Sequence, residues 1–423
     1  ERDDLAAHTS SSSTKLIHGG LRYLEYYEFS LVRKALQERE VLLRSAPHIM
    51  WPLRFVMPHD AAMRPVWMIR AGLFLYDHLA KREILAGSEV VLLREHEAGA
   101  PLKAQFKKGF VYSDGWVDDA RLVVLNALAS QENGATILTR TSCISAQIEN
   151  NLWHASLQLA SGETKIIQAR ALVNAAGPWA GKFLQQNLRR PDAHTLRLVK
   201  GSHIVVRKLF DHDYAYIFQN ADKRIIFAIP YENDFTLIGT TDVEITGEPE
   251  AAKIDADEIR YLCEQASRYF AQPVVESDVV WSYTGVRPLL DDASGDPSAV
   301  TRDYQLEMND QPAPLLTVWG GKITTFRKLA QEAGDLLCSA MAVHKPSVTS
   351  AQFLPGGDFK DYIDASGQPV ADFNGFVAEL ARRYPWLPDR LRHRYARAYG
   401  SRINYIIDKA VSLDQLGEEI APQ

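Results

Sequence analysis

The sequence predicts an α/β fold with a second, mostly antiparallel sheet set into it and a helical C-terminal part. Three observations carry that reading. Apolar strands run into small residues or a glycine turn and then a helix at residues 170–180 and 315–340. Between them, from about 200 to 290, the chain breaks into short apolar and alternating segments, the mark of an antiparallel sheet. After Pro346 it turns helical and arginine-rich.

Taken in order, FSLVRKALQEREVLLR (29–44) spaces Phe29, Val32, Leu36 and Leu43 at helical intervals and predicts a helix ending before Pro47. RPVWMIRAGLFLYDHLA (64–80) is aromatic-rich and apolar on most sides, beside Arg64, Lys81 and Arg82; it suits a helix lying in a membrane interface or a buried core helix. A helix follows Trp116, with Asp118 and Asp119 in its first turn, where the helix dipole favours carboxylates, and Gly134 past its end. ATILTRTSCISAQI (135–148) reads as a strand, and RALVNAAGPWA (170–180) as a buried strand turning at Gly177-Pro178 into a helix.

The inserted sheet is expected from SHIVVRK, YAYIFQ, RIIFAIPY and DFTLIGTTD, then a helix near ADEIRYLCEQASRYF and a strand VVWSYTGVRPL. LLTVWGGKITTFRKLAQEAGDLLCSA (315–340) is strand, glycine turn and helix in one stretch and returns the chain to the α/β frame. The basic helices beyond Pro346 form a solvated face of a small third domain, or a surface for anionic lipid or a partner.

Composition narrows the function. With 46% apolar and 24% charged residues in 423, the chain is an ordinary globular one. Its net charge of −6 argues against bulk attraction to nucleic acid, so an anionic ligand needs a local cluster of Arg and Lys. Three widely spaced cysteines, Cys143, Cys263 and Cys338, argue against a disulfide framework or a zinc site and fit a reduced, cytoplasmic setting. No run approaches the roughly 18 apolar residues of a spanning helix.

Four stretches place Gly and small polar residues together, three of them with a cation: SSSSTKLIHGGLR, NAAGPW, SYTGVRP and WGGKITTFRK. Glycine lets backbone approach a flat or phosphorylated ligand, while Ser, Thr and Lys supply hydrogen bonds, so one cofactor touching all four explains them. Gly320-Gly321 ahead of Thr324 and Thr325 at a helix start presents free N–H groups and a positive helix end. That suits the negative edge of a reduced flavin, although an ordinary strand-turn-helix corner has the same pattern.

IHGGLRYLE, NAAGPW, KGSHIVV, IGTTDVE, YTGVRPL, TRDY and GGKITTFRKLA, in this order and spacing, closely resemble the flavin-dependent glycerol-3-phosphate dehydrogenases of the respiratory type, from residue 1 to about 357. The resemblance implies a Rossmann-like FAD-binding domain over 1–48, 108–198 and 312–345, a β-rich substrate domain over 49–107 and 199–311, and a helical domain over 346–423. The G-x-G-x-x-G turn that receives the FAD pyrophosphate in that family is absent here. Glu1 falls where the family has its ribose-binding acid, so roughly 30 residues of a βαβ unit are expected to be missing and the chain to be a fragment, short also at its C-terminal domain.

The same resemblance assigns residues. FAD is expected along Glu1, Thr9, Ser10, Ser13, Thr14, Lys15 and Leu16, then His18, Gly19 and Gly20 near the ring. Cys143, Ala176, Gly177, Trp179, Gly321, Lys322, Ile323 and Thr324 complete the cofactor set. Thr14 stands where the family often has serine. The substrate, a small dianion, calls for converging cations, and Arg binds phosphate oxygens in pairs. Arg22, Arg287, Arg302 and Lys322, with Tyr23, are the expected substrate residues. Loss of the C2 hydroxyl proton needs a base, and His203 is the choice, with Arg287 near the hydroxyl sharing or replacing that role. His18 is expected to pack by the ring, and Asp242 to orient its neighbours or cap a turn.

Expected partners are glycerol 3-phosphate, quinone and membrane lipid, with a homodimer possible and no metal. The expected location is cytoplasmic, peripheral to the inner membrane. Two alternatives remain: a glycerol-3-phosphate oxidase using oxygen, and a flavin-free fragment that binds phosphorylated ligands or partners.

Overall fold

The computed structural model describes residues 1–60, 64–190, 194, 196–220, 222, 224–290, 303–407 and 409–418. Its strands are β1 (Leu16–Ile17), β2 (Met50–His59), β3 (Glu89–Leu92), β4 (Lys108–Val117), β5 (Ser142–Glu149), β6 (Leu152–Gln158), β7 (Thr164–Ala169) and β8 (Leu172–Asn174), then β9 (Leu196–Arg207), β10 (Ala215–Gln219), β11 (Ile225–Tyr231), β12 (Phe235–Gly239), β13 (Val243–Ile245), β14 (Val279–Leu290), β15 (Gln305–Asn309) and β16 (Leu315–Trp319). The main helices are α1 (Phe29–Ser45), α2 (Val66–His78), α3 (Asp119–Glu132), the single turn α4 (Ala180–Lys182), α5 (Ala256–Ser267), α6 (Phe326–Ala340), α7 (Pro369–Arg383) and α8 (Asp389–Tyr399).

The large sheet runs β1-β4-β2-β10-β11-β12-β9-β13, with β3 added to β4 and β14 to β9. Its described pairings are antiparallel except β2 with β10. Both faces are covered, which is why β4 and β9 are buried almost throughout instead of alternating. On one face α5 packs Leu262, Cys263 and Ala266 against Ile204, Val206 and Phe218. On the other, Val32 and Leu36 of α1 and Leu73 and Tyr76 of α2 meet Phe55, Tyr112 and Ile217. Full burial of a Val or Leu side chain is worth about 1.5–3 kcal/mol, so this short row suffices to seat α1.

The α/β frame is represented by β15-β16-β8, in which β16 and β8 are parallel. A separate meander, β5-β6-β7, lies beside it. Asp118 caps α3 by accepting from Arg121 N, so it precedes the first turn in which it was expected, and Asp119 alone stands there. The helices α7 and α8 enclose their own core around Phe373, Phe376 and Leu391. They dock on the body through Arg397, whose guanidinium lies 4.1 Å from the Trp51 ring centroid and 3.7 Å from that of Phe373.

Three expectations change. β4 pairs with β2 along its whole length, so the domain division at 107/108 falls inside one sheet. Residues 135–141 are irregular because Arg140 N and Thr141 N bond to the carbonyls of Asp3 and Glu1 rather than to a strand; β5 starts only at Ser142. After Gly177 the chain makes a 3-10 turn, one α turn and a π turn (Phe183–Asn187) instead of a regular helix. Among the described residues no helix is long and apolar enough to cross a membrane. Nor is α2 a core helix: Trp67 and Phe74 are 68% and 64% exposed, and only Leu73 and Tyr76 are buried.

Candidate active site

Residues 8–23 thread between the large sheet and the β16–α6 turn. On the sheet side Thr9 Oγ1 donates to Val286 O (2.9 Å), Tyr283 OH donates to Ser13 O (2.8 Å), and Thr14 Oγ1 lies 2.9 Å from His203 Nε2. Gly285 permits this approach, since a Cβ there would stand 2.9 Å from Ser12 O. On the other side His18 N donates to Thr324 Oγ1 (3.1 Å), which donates back to His18 O (3.2 Å). The Lys322 ammonium lies 4.0 Å from the Tyr23 ring centroid. The His8 ring meets Trp179 edge-on at 4.9 Å, which brings the turn containing Ala176 and Gly177 alongside. All four glycine-bearing stretches therefore meet along one segment, as one shared ligand requires.

β14 and β9 present the polar chemistry. Tyr283 is the cross-strand partner of His203 and stacks on it at 4.7 Å. Arg287, four residues further along β14, shares its face. His203 is 2% exposed, and its Nδ1 is buried with no hydrogen-bond partner among the described residues. Desolvation, then the charges of Arg287 and Lys15, push its pKa down to about 3, so the ring is neutral at pH 7. Arg287 Nη1 donates to Asp242 Oδ1 (2.6 Å) and Nη2 to Thr241 O (3.0 Å), leaving a side chain 39% exposed. Asp242 thus orients Arg287, the first of the two roles expected of it.

Behind the segment stands Asp119, which the sequence marked only as a helix-start acid. Buried at the head of α3, it accepts from Ser13 N (3.1 Å), Ser13 Oγ (2.7 Å) and Lys15 Nζ (2.6 Å). The Lys15 ammonium is consequently turned into the protein and ion-paired with Asp119. Leu16 is likewise buried, and Ile323 packs into the core beneath α1. Ser10 is exposed. The half-buried ring of His18 carries a pKa lowered chiefly by desolvation, in keeping with packing rather than proton transfer.

Glu1 and Cys143 form a second neighbourhood at the start of β5. Glu1 donates its amine to Leu138 O (2.9 Å) and accepts from Thr141 N (2.9 Å), while Cys143 O accepts from Asn187 Nδ2 (3.0 Å). Burial raises the Cys143 thiol pKa. Arg22 is half-buried, with Nη2 3.5 Å from Tyr26 OH. Arg302 lies outside the described residues.

The turn Gly320-Gly321 takes φ values of 69° and 110°, open to glycine and strained for other residues. Among the described residues, no atom beyond the chain neighbours comes closer than 3.7 Å to a Cβ built on Gly320. The turn therefore offers bare backbone ahead of α6, where N–H groups and the helix dipole stabilise negative charge.

Residues 1–327 match the family described as FAD dependent oxidoreductase. A glycerol-3-phosphate dehydrogenase of Pseudomonas aeruginosa is 50% identical over 423 residues, covering 99% of this chain and 80% of the relative. A D-erythritol 1-phosphate dehydrogenase of Brucella abortus is 49% identical over 419 residues, covering 99% and 82%. Among solved structures, the glycerol-3-phosphate dehydrogenase of Bacillus halodurans complexed with FAD superposes with a TM-score of 0.75 at 26% identity, covering 97% of this chain and 72% of that one.

Proposed function

The chain belongs to the FAD-dependent oxidoreductases, in the branch that holds the glycerol-3-phosphate dehydrogenases, and from that premise we propose that it oxidises sn-glycerol 3-phosphate to dihydroxyacetone phosphate. The observation that carries the reading is that the segment 8–23 bonds through Thr14 to His203, on the strand pair that bears Arg287, and places Tyr23 under the Lys322 ammonium.

The residues fit the ring end of FAD. Gly320 and Gly321 leave backbone uncovered, Thr324 and Thr14 supply hydroxyls, and the buried Nδ1 of His203 awaits a partner. When bound, FAD supplies the two-electron acceptor for the hydride from C2. Arg287, Lys322 and Arg22, with Tyr23 and Arg302, hold the phosphate and orient the carbon chain. His203, kept neutral by burial, takes the C2 hydroxyl proton, and the negative charge of the substrate raises its basicity at that moment. Arg287 steadies the developing charge on the C2 oxygen.

Membrane quinone is the proposed electron acceptor, reached from the cytoplasmic face of the inner membrane. Support comes from the outward aromatic residues of α2 and from Tyr27, 80% exposed on the neighbouring turn. The erythritol phosphate relative favours a second substrate reading, since a secondary alcohol on a longer polyol phosphate meets the same chemistry.

Anaerobic mixing of the purified flavoprotein with glycerol 3-phosphate or erythritol 1-phosphate, followed by a quinone analogue or oxygen, tests all of this. Flavin bleaching by glycerol 3-phosphate and reoxidation by the quinone analogue are expected. Faster bleaching by the four-carbon substrate moves the specificity to it, and peroxide release at the quinone-linked rate makes the protein an oxidase. Colourless protein that binds phosphate esters without turnover overturns the proposal.

A further inference from the structure

We propose that Tyr76 is a positioning residue for the turn His18–Gly20, fixing its distance from the flavin and tying it to α2. The proposal rests on the reading that this turn borders the flavin ring.

Three polar side chains, Arg39, Tyr76 and Asp114, are buried beneath the turn. Asp114 Oδ1 accepts from Arg39 Nη1 (2.5 Å), from Tyr76 OH (2.7 Å) and from Gly19 N (3.1 Å). Gly19 N also donates to Tyr76 OH (2.9 Å), so the peptide is shared between phenol and carboxylate. Across the turn, His18 is held at both its N–H and its carbonyl by Thr324 Oγ1. The turn is thus gripped from below by Tyr76 and Asp114 and from above by the flavin-side helix start.

Packing alone does not account for this network. A buried ion pair contributes little net stability compared with apolar residues of the same volume. Arg39 also donates to Ser113 O (2.8 Å), but Ser113 belongs to β4, which its own ladder already holds. The loop backbone that the network secures is that of Gly19. Gly19 has no room for a Cβ, which would lie 2.5 Å from the Tyr76 hydroxyl and 2.4 Å from Leu36 Cδ2, so the turn rests directly on the phenol. Misplacement of a reacting partner by about 1 Å costs up to 100-fold in rate, and the phenol sets that distance here.

Tyr76 is also one of the two buried residues of α2, whose Trp67 and Phe74 point outward. The phenol is thus the point at which α2 bonds to the turn.

The test compares Tyr76→Phe, which keeps the ring and deletes the hydroxyl, with Leu73→Ala, which loosens α2 without touching the network. In the holoenzyme Tyr76→Phe is expected to lower kcat per bound flavin about tenfold, leave the KM for glycerol 3-phosphate within about twofold, and alter the flavin absorption bands. Leu73→Ala is expected to lower the melting temperature with the flavin bands and kcat per flavin unchanged. Unchanged bands and kcat in Tyr76→Phe, or equal changes in both variants, overturn the proposal. Should Tyr76→Phe not fold, amide exchange in the wild-type holoenzyme decides: slow exchange at Gly19 is required, and fast exchange there refutes the grip. A wild type that fails to oxidise glycerol 3-phosphate refutes the functional reading instead, because the spectral and exchange readouts need no substrate.

Discussion

Thr14 Oγ1 and His203 Nε2 stand 2.9 Å apart, and this is the one hydrogen bond the imidazole makes among the described residues. The contact holds the imidazole by Nε2 against the segment that lines the site, whichever tautomer is present. The bond also brings together residues 189 positions apart in the chain, one from each side of the site.

Thr14→Val keeps the volume and loses the hydroxyl, which strands both ring nitrogens. A buried polar group left without its partner costs about 1–3 kcal/mol, so kcat is expected to fall roughly 5- to 160-fold. Thr14→Ser keeps the hydroxyl and is expected to stay within about twofold of the parent. Steady-state kinetics of both variants checks this, and equal losses in the two place the effect in the methyl group rather than in the hydrogen bond.

The lowered pKa of His203 dictates the pH profile. The group titrates near 3 rather than 6.5, so in the free enzyme it is already in its base form throughout the neutral range. The profile of kcat/KM reports free-enzyme ionisations, and no acid limb from His203 is expected between about pH 5 and 8. A limb from the substrate phosphate, near pH 6, persists in His203→Asn and is thereby separable. A limb near 6.5 that disappears in that variant would show an imidazole far less buried than described.

His48 carries the corresponding stability prediction. It is fully buried at the junction with the helical region, both ring nitrogens lack partners among the described residues, and its pKa falls from 6.5 to about 3. Desolvation is the larger cause, with Arg121 and Arg397 adding to it. Between those two values the unfolded chain binds more protons than the folded one, so stability rises with pH. The contribution is complete above about 6.5 and is lost as pH falls toward 3. His203 behaves alike, so His48→Leu is expected to reduce, not abolish, the slope of melting temperature against pH between about 4 and 6.5. An unchanged slope in calorimetric scans would place His48 in contact with water.

Much of this architecture was legible in the residues. Apolar spacing gave α1, the acids Asp118 and Asp119 marked the start of α3, and the glycine-hydroxyl stretches named the segments that meet at the site. The parts that Asp119, Tyr76 and Arg39 play at the site escaped notice for a physical reason. An acid at a helix start, a tyrosine in an apolar helix and an arginine on an amphipathic one each have an ordinary local explanation, and only tertiary packing turns them inward. The Lys15–Asp119 pair was hidden on the same account: a lysine among serines gives no sign of its buried carboxylate partner, 104 residues away. The irregular run 135–141 escaped because its backbone partners are the first residues of the chain, which no local pattern reveals.

The last prediction concerns α2. Its buried edge is Leu73 and Tyr76; Trp67, Met68, Phe74 and Leu75 face outward together with Tyr26, Tyr27 and Phe29 nearby. Exposed aromatics on a helix flanked by Arg64, Arg70 and Lys81 suit the membrane interface, where rings insert and cations meet anionic headgroups. Arg64 and Lys81 are paired with Glu25 and Glu83, which reduces their share and leaves the rings as the main contributors. Full burial of such a side chain is worth about 1.5–3 kcal/mol, so Trp67→Ser or Phe74→Ser is expected to weaken binding to vesicles of mixed neutral and anionic lipid about tenfold or more. The melting temperature should hardly move, because neither residue belongs to the core. Flotation of the two variants measures this, and binding that survives both while collapsing in high salt would transfer the attachment to surface charge.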